Sequence, residues 1–289
     1  MAARRSSLLA ACWVVAFFAP GMTPQQPAPT PSAARILLLP RRIVSGERAT
    51  LAVLDVGGRL TPGVTVTFSN GDRVKTDATG RALFVAPLTP GVILGSIEGR
   101  PGRVPTVILT PGEAAASSVI EISRAPRFAS VTDRFELLGK GFCGDADANH
   151  VTVAGQAALA LASSPAALVV LPPTDLQPGP AVVEISCGKR QAPDLSLTFV
   201  ELELKGDSAP LKRGEHRTLS VHVRGTEDKV ALEARNLAPK IAELAGGNPV
   251  QRLSSGGPEN VAQFEVVGQK SGNFLISIRL APTVGRPLQ

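Results

Sequence analysis

Short apolar runs separated by turn residues are the feature that most constrains how this 289-residue chain can fold. Residues 64–68 alternate strictly between apolar and polar side chains, which is the pattern of a half-buried strand. Asn70 and Gly71 follow, a pair that favours a hairpin because both residues tolerate positive φ. The 28 Gly and 25 Pro are spread along the chain, as turns in a β protein would be. The pattern predicts an all-β fold, with residues 238–244 as the best candidate for a short helical turn.

The N-terminus has the three parts of a secretory signal. Arg4 and Arg5 precede an apolar run at 8–18, and small residues follow at 19–21. The run is much shorter than the roughly 20 residues that a membrane-spanning helix needs. We therefore predict a signal peptide at 1–21, and a flexible or extended linker at 22–34, which is rich in Pro, Gln and Thr.

Cys12 offers an alternative reading of this region. Residues 9–12 superficially match a lipoprotein box, in which the cysteine would carry a lipid anchor. A lipobox cysteine should follow the apolar run, whereas Cys12 comes before most of it. The favoured interpretation is a small apolar residue of the signal peptide.

Charge and composition argue against several classes of ligand. The formal net charge is +6; without Arg4 and Arg5, 28 basic residues face 24 acidic ones, a net charge of +4. The basic residues are scattered, whereas nucleic-acid binding requires a concentrated patch. Aromatic residues make up only 4% of the chain and Tyr is absent, which disfavours stacking platforms for bases or sugars.

Residues 135–199 form the part of the chain that resembles a known module. A run ending in Gly139-Lys140-Gly141-Phe142 is followed by Val151-Thr152-Val153-Ala154-Gly155, and Pro178-Gly179 precedes the next apolar run. This order resembles the IPT/TIG family of small immunoglobulin-like β-sandwiches. The resemblance implies a sandwich over about 119–201, with Phe142 inside it and the two glycines at the preceding bend.

The segments before and after this module also have the strand patterns of β-sandwiches. Residues 35–112, with their 62–66 and 76–80 turn-and-strand patterns, resemble bacterial immunoglobulin-like domains of the invasin type and are also similar to the carboxypeptidase regulatory-like fold. Residues 202–289 resemble no family that we recognise, but their strand spacing fits another β-sandwich. A joint of small residues at 113–118 predicts neighbours that are held in line without sharing a core.

Cys143 and Cys187 are the only cysteines left once a signal peptide is removed. In an exported protein, two cysteines in one small domain favour a structural disulfide. The alternative is a pair of catalytic or metal-binding thiols, for which no histidine or acid stands at a recognisable spacing. These two cysteines, as structural residues, are the only site residues that the sequence singles out.

Other candidate sites have a simpler explanation. Gly139-x-Gly141 lacks the fuller glycine pattern and the helix of a phosphate cradle. The loop at 144–149 has acidic residues at alternate positions, as a calcium loop does, but His150 stands where a glycine is required, so a polar turn is favoured. His150, His216 and His222 have no metal or triad spacing, and His222 is expected to face solvent. We predict no catalytic residues, no metal and no cofactor, and hence no enzyme.

The sequence therefore predicts an exported, non-catalytic chain of immunoglobulin-like sandwiches in the bacterial envelope or at the cell surface. It would bind or space through protein–protein contacts. The alternatives are an accessory carbohydrate-binding protein and a surface-exposed adhesin. A protein partner is expected, a glycan is possible, and neither nucleic acid nor a membrane-spanning helix in the mature chain is expected.

Overall fold

The computed structural model describes residues 35–114, 119–207, 209–282 and 286–287. The predicted signal peptide and linker lie outside these residues. Within them the regular structure is β-strand apart from two short 3₁₀ turns, Pro111–Ala114 and Ala146–Ala148. The prediction of an all-β chain of tandem immunoglobulin-like sandwiches is confirmed.

The first sandwich closes two sheets over a core that includes Ile43, Leu51 and Val66, all fully buried. One sheet has the order β1-β3-β6 and the other β2-β8-β7-β4-β5. Inward residues alternate along β4 as the sequence predicts. The strands are β1 (Arg35–Leu38), β2 (Arg42–Val44), β3 (Arg48–Asp55), β4 (Thr65–Phe68), β5 (Arg73–Lys75), β6 (Arg81–Val85), β7 (Gly91–Ile97) and β8 (Val104–Leu109).

The middle sandwich packs around aromatic side chains. The rings of Phe135 and Phe199 meet edge to face, 5.6 Å apart. Phe142 is 1% exposed, so its predicted interior position is confirmed. Its strands are β9 (Glu121–Ala125), β10 (Phe128–Ser130), β11 (Phe135–Lys140), β12 (Asn149–Val153), β13 (Gln156–Ser164), β14 (Ala167–Leu171), β15 (Gly179–Cys187), β16 (Arg190–Gln191) and the first half of β17 (Leu195–Lys205).

The third sandwich faces the sheet β20-β22-β18-β17 against a three-stranded sheet, β21-β19-β23. The expected helical turn at 238–244 is wrong in its second half: Ala242 to Leu244 pair with β22 as a strand, because Ala242 and Leu244 are buried in the core on alternate positions. The strands are β18 (His216–Arg224), β19 (Ala231–Asn236), β20 (Ala242–Leu244), β21 (Val250–Ser254), β22 (Val261–Gly268) and β23 (Ile276–Leu280). A further strand, β24 (Arg286–Pro287), pairs with β9 of the middle sandwich.

The first and middle sandwiches share a small apolar cluster. Leu38 and Leu54 of the first pack against Leu161 and Val169 of the middle one. The expectation that neighbours share no core is therefore wrong at this junction. The short joint of small residues at 113–118 contains no pattern that would predict shared burial of apolar residues from the strands on either side of it.

Hydrogen bonds also connect the first and middle sandwiches. Thr50 bridges to Ser163 as an isolated strand pair. Its hydroxyl donates to the Gly144 carbonyl at 2.9 Å and accepts from the Ala146 N–H at 3.1 Å. Arg81, with a side chain only 10% exposed, donates to the carbonyl of Ala160 at 3.1 Å. Each buried polar group at this contact thus has a partner, as burial requires.

A single strand joins the middle and third sandwiches. The first half of β17 pairs with β15, where Phe199 lies opposite Gly179. From Glu201 onward the same strand pairs with β18. The predicted boundary at 201/202 therefore falls within continuous backbone, at the point where the partner strand changes.

Candidate functional site

Cys143 and Cys187 form a disulfide, as predicted, with their Cα atoms 5.8 Å apart. The bond links the bend after β11 to the end of β15, and Cys187 is 2% exposed. Its sulfur accepts a hydrogen bond from Arg190 at 2.9 Å. A bond that closes a loop of 44 residues stabilises the fold by about 4 kcal/mol in the chain-entropy estimate. Cys187 belongs to the apolar core of the middle sandwich, and Cys143 packs against it.

The acidic loop at 144–149 serves the junction between sandwiches. The Asp145 carboxylate accepts the backbone N–H of Asp147 at 3.1 Å, which caps the short 3₁₀ turn. Asp147 pairs with Arg81 of the first sandwich at 2.7 Å. Asn149 is buried and its amide donates to the carbonyls of Cys143 and Asp145. These contacts account for the alternating polar residues, in agreement with the polar-turn interpretation.

The histidines lie apart from one another. His216 lies 2.6 Å from Glu265 on the exposed face of β18, and His150 is exposed. His222 alternates with buried Val221 and Val223 as predicted, but its side chain is only 19% exposed, with Glu259 at 3.8 Å. Within the part of the chain that the structure describes, no three His, Cys, Asp or Glu side chains come together as metal ligands.

A groove of about 990 Å³ lies where residues of all three sandwiches meet. Its walls come from β1 and β8 of the first sandwich, from β9 to β11 of the middle one and from β23 of the third. Many of its side chains are apolar: Leu37, Leu39, Val104, Phe128, Leu202, Ile278 and Leu280. The groove is thus an apolar trough whose shape depends on how the sandwiches are joined.

One wall of the groove is a strand edge. In the described residues β23 pairs with β19 alone, so no strand is hydrogen-bonded to its other edge, although β10 lies close by. Ala281 donates its N–H to Ala231 of β19, and Leu275 accepts from Leu237. Because hydrogen-bonded pairs alternate in an antiparallel ladder, the N–H and C=O groups of Ile278 and Leu280 point away from β19. Both residues line the groove.

Another part of the groove lining already pairs with an added strand. Arg286 and Pro287 form β24, which pairs with Ala125 and Arg124 of β9. Those two β9 residues line the groove. An extended segment on a groove wall is therefore compatible with the geometry of this region.

The charges that line the groove are mainly positive. Four arginines face two carboxylates. Arg41 pairs with Glu136 at 2.8 Å across the first junction, and Arg134 with Asp133 at 3.1 Å. Burial raises the pKa of the Glu136 carboxyl above its ordinary value, although Arg41 opposes the shift. The lining arginines without a carboxylate inside the groove are Arg124 and Arg279.

Sequence reasoning missed this groove. The edge position of β23 depends on the absence of a second pairing partner among the described residues. No local pattern reports which strand ends a sheet, since pairing is a long-range property.

No family model matches the chain, and no curated protein matches it. Solved structures resemble it in fold. SGBP-B of the Bacteroides ovatus mixed-linkage glucan utilization locus, solved with a mixed-linkage heptasaccharide, is 12% identical over 87% of this chain and 74% of its own, with a TM-score of 0.36. Invasin, a bacterial integrin-binding protein, is 17% identical over 86% of this chain and 57% of its own, with a TM-score of 0.21.

The extracellular region of plexin A4 is 11% identical over 87% of this chain and 33% of its own, with a TM-score of 0.33. The chain thus spans less than two thirds of invasin and of plexin A4. At these identities the likeness concerns the fold alone, and it does not indicate a shared function. The residues that the structure describes contain no helix that is long and apolar enough to cross a membrane.

Proposed function

We propose that this chain is an exported, non-catalytic binding module that holds an extended segment of a partner protein in the groove. One observation carries the proposal: the unpaired edge of β23 lies inside an apolar groove, with Ile278 and Leu280 presenting their backbone groups to it. A peptide that adds to such an edge gains main-chain hydrogen bonds, while its side chains reach the apolar walls.

The junctions support this role. The shared cluster around Leu161 and the continuous strand β17 fix the three sandwiches that form the walls. A groove of fixed shape costs less entropy to fill than a flexible one. The same rigidity suits a spacer in a larger envelope assembly, so binding and spacing belong to one proposal.

The proposal also covers the cellular location of the chain and the family of its middle sandwich. The N-terminal pattern at 1–21 and the disulfide between Cys143 and Cys187 support a location in the periplasm or at the cell surface. The middle sandwich is proposed to be of the IPT/TIG type on the motif order at 135–155. No catalytic step is assigned.

The test places a photoreactive amino acid at Pro105 or at Thr132, two exposed groove positions on different sandwiches. Lys75, exposed on the far sheet edge at β5, is the matched control. After irradiation of the source cells, we expect both groove positions to capture the same protein and Lys75 not to capture it. Equal capture from all three positions would contradict a groove-specific partner.

Hydrogen exchange with the purified partner then tests the mode of binding. We expect the amides of Ile278 and Leu280 to become protected, because they would be hydrogen-bonded to an added strand. The amide of Arg73, which points away from β4 on the edge strand β5 of the first sandwich, serves as the reference. Protection that is confined to residues outside the groove would refute binding at the β23 edge.

A further inference from the structure

The solvent-facing side of the sheet β21-β19-β23 carries four charged side chains in contact, which we name the arginine platform: Glu233, Arg235, Arg252 and Arg279. Arg252 donates from Nε and Nη2 to one Glu233 oxygen at 3.0 and 2.9 Å. Arg279 donates from the same two atoms to the other oxygen at 3.3 and 2.7 Å. Arg235 lies 3.6 Å from Glu233. One carboxylate thus orients guanidinium groups from three strands.

Strand geometry explains the arrangement. Leu232 and Ala234 point into the core, so Glu233 between them points outward. Arg252 and Arg279 are its direct cross-strand neighbours, one on each side. The carboxylate is only 1% exposed because the arginine side chains cover it. Hydrogen bonds from Arg279 and then Arg252 hold the pKa of Glu233 below its ordinary value, against the effect of burial.

The charges of the platform do not balance. Three guanidinium groups share one carboxylate, which leaves a surplus of two positive charges. The arginine side chains are 51%, 63% and 45% exposed for Arg235, Arg252 and Arg279. Among the described residues, Glu233 is the acidic partner of each. Because Arg252 and Arg279 direct only Nε and Nη2 at Glu233, each keeps Nη1 for a further acceptor.

Oriented and unneutralised guanidinium groups are suited to bind carboxylates, because their planar donors match the two oxygens of the group. A neutral sugar would need a ring to stack on, and the outward residues beside the platform carry no aromatic ring: Ala231, Val250, Ser254 and Ser277. The chemistry therefore favours acidic side chains over a sugar surface.

We propose that the arginine platform is a binding site for an acidic segment of a protein, whose Asp or Glu carboxylates bridge the free donors of Arg252 and Arg279. The site goes beyond the groove, since Arg235 and Arg252 do not line it. Arg279 belongs to both, so the two sites are adjacent and can be occupied by neighbouring surfaces.

The test titrates the full mature chain into fluorescently labelled hexaglutamate and follows anisotropy at low salt, with hexaglutamine as the neutral probe. We expect saturable binding of hexaglutamate that weakens as salt is added, and none of hexaglutamine. Arg252→Gln should weaken binding about tenfold or more, because a charge-assisted bidentate contact is lost. Arg235→Gln should weaken it less, and it tests the site without disturbing the Glu233 hydrogen bonds.

Two variants of equal charge change serve as controls. Arg73→Gln removes an exposed arginine of the first sandwich, and Arg124→Gln removes one from the groove. We expect each to change the affinity by less than about twofold. Should these variants weaken binding as much as Arg252→Gln does, the platform is not the site. The same holds if no saturable binding occurs.

An oligogalacturonate of six units distinguishes the source of the carboxylates. Weaker binding of this glycan than of hexaglutamate supports the acidic protein segment, and much tighter binding would overturn that assignment in favour of a glycan. Failure of this test leaves the photocapture result at Pro105 and Thr132 unaffected, because those positions do not belong to the platform.

Discussion

The two junctions between sandwiches are built in different ways. The middle and third sandwiches share the backbone of β17, which changes its pairing partner from β15 to β18 without a break. The first and middle sandwiches are joined by side chains, with Leu161 in the apolar cluster and Thr50 at its polar edge. A backbone junction needs only a continued strand pattern. A side-chain junction needs particular residues, so conservative substitutions should distinguish the two.

The largest effect is expected at the backbone junction. Gly225 has φ of +97°, and a Cβ there would lie 2.5 Å from the carbonyl oxygen of Phe199 in β17. Gly225→Ala therefore combines backbone strain with a steric clash against the Phe199 carbonyl oxygen, a backbone atom that cannot rotate away. We expect it to lower the free energy of unfolding by about 4 kcal/mol. Urea denaturation measures it. Gly188→Ala, at φ of +61° with nothing within 4 Å, reports the strain alone, and an equal loss there would show that the clash is unimportant.

A somewhat smaller loss is expected at the side-chain junction. A Cβ on Gly144 would lie 2.0 Å from the carbonyl oxygen of Arg48 in the first sandwich. Gly144→Ala should force the loop away from β3 and cost about 3 kcal/mol, measured by urea denaturation. Gly112→Ala, with open space around it, should be nearly neutral. If the two variants unfold at the same urea concentration, the result would contradict a close contact between Gly144 and the Arg48 carbonyl.

Thr50→Val tests the polar edge of that junction. The change keeps the shape of the side chain but leaves the Ala146 N–H without the acceptor that it has now. We expect a loss of about 2 kcal/mol, because a buried donor becomes unsatisfied. Thr67→Val, whose hydroxyl lies within the first sandwich and contacts Ser96, is the matched control for thermal melts. An equal shift in both variants would mean that the hydroxyl of Thr50 has no special role at the junction.

The carboxylates of Glu136 and Glu233 should change the pH dependence of stability in opposite directions. The folded pKa of Glu136 is raised, so its ionised form costs stability, and that cost grows as pH rises from about the ordinary value of 4.5. Glu136→Gln should therefore gain stability relative to the wild type as the pH rises. The folded pKa of Glu233 is lowered, so its contribution is present above the ordinary value and is lost as pH falls through the folded pKa.

Glu233→Gln should accordingly show the opposite slope, with its largest loss at neutral pH. Urea denaturation of both variants and the wild type between about pH 4 and pH 7 measures the difference. Parallel slopes for the two variants would contradict the assigned directions of the pKa shifts.

The smallest effect is expected for Asp147→Asn. Its carboxylate pairs with Arg81 at 2.7 Å across the side-chain junction, but its side chain is 69% exposed. Solvent-exposed ion pairs contribute little, so we expect a loss of under about 1 kcal/mol in thermal unfolding, further reduced by salt. A loss as large as that of Gly144→Ala would show that this ion pair, more than apolar packing, holds the junction.

The sequence alone determined the all-β class of this protein and several of its local features. Alternation at 64–68 set which face of that strand is buried, because successive side chains in a strand point to opposite sides. Phe142 and the partnership of Cys143 with Cys187 also followed from the sequence. These features depend on local periodicity, on a recognisable order of motifs, or on there being only two cysteines left to pair.

Only the tertiary structure decided how those elements meet. Glu233 reaches Arg252 and Arg279 through strand registers that join residues 19 and 46 positions apart. The groove depends on β23 ending its sheet, and the first junction on Leu161 facing Leu38. Periodicity tells which way a side chain points but not which strand lies beside it. Pairing between distant segments is chosen by the packing of the whole chain, and that choice created both candidate sites.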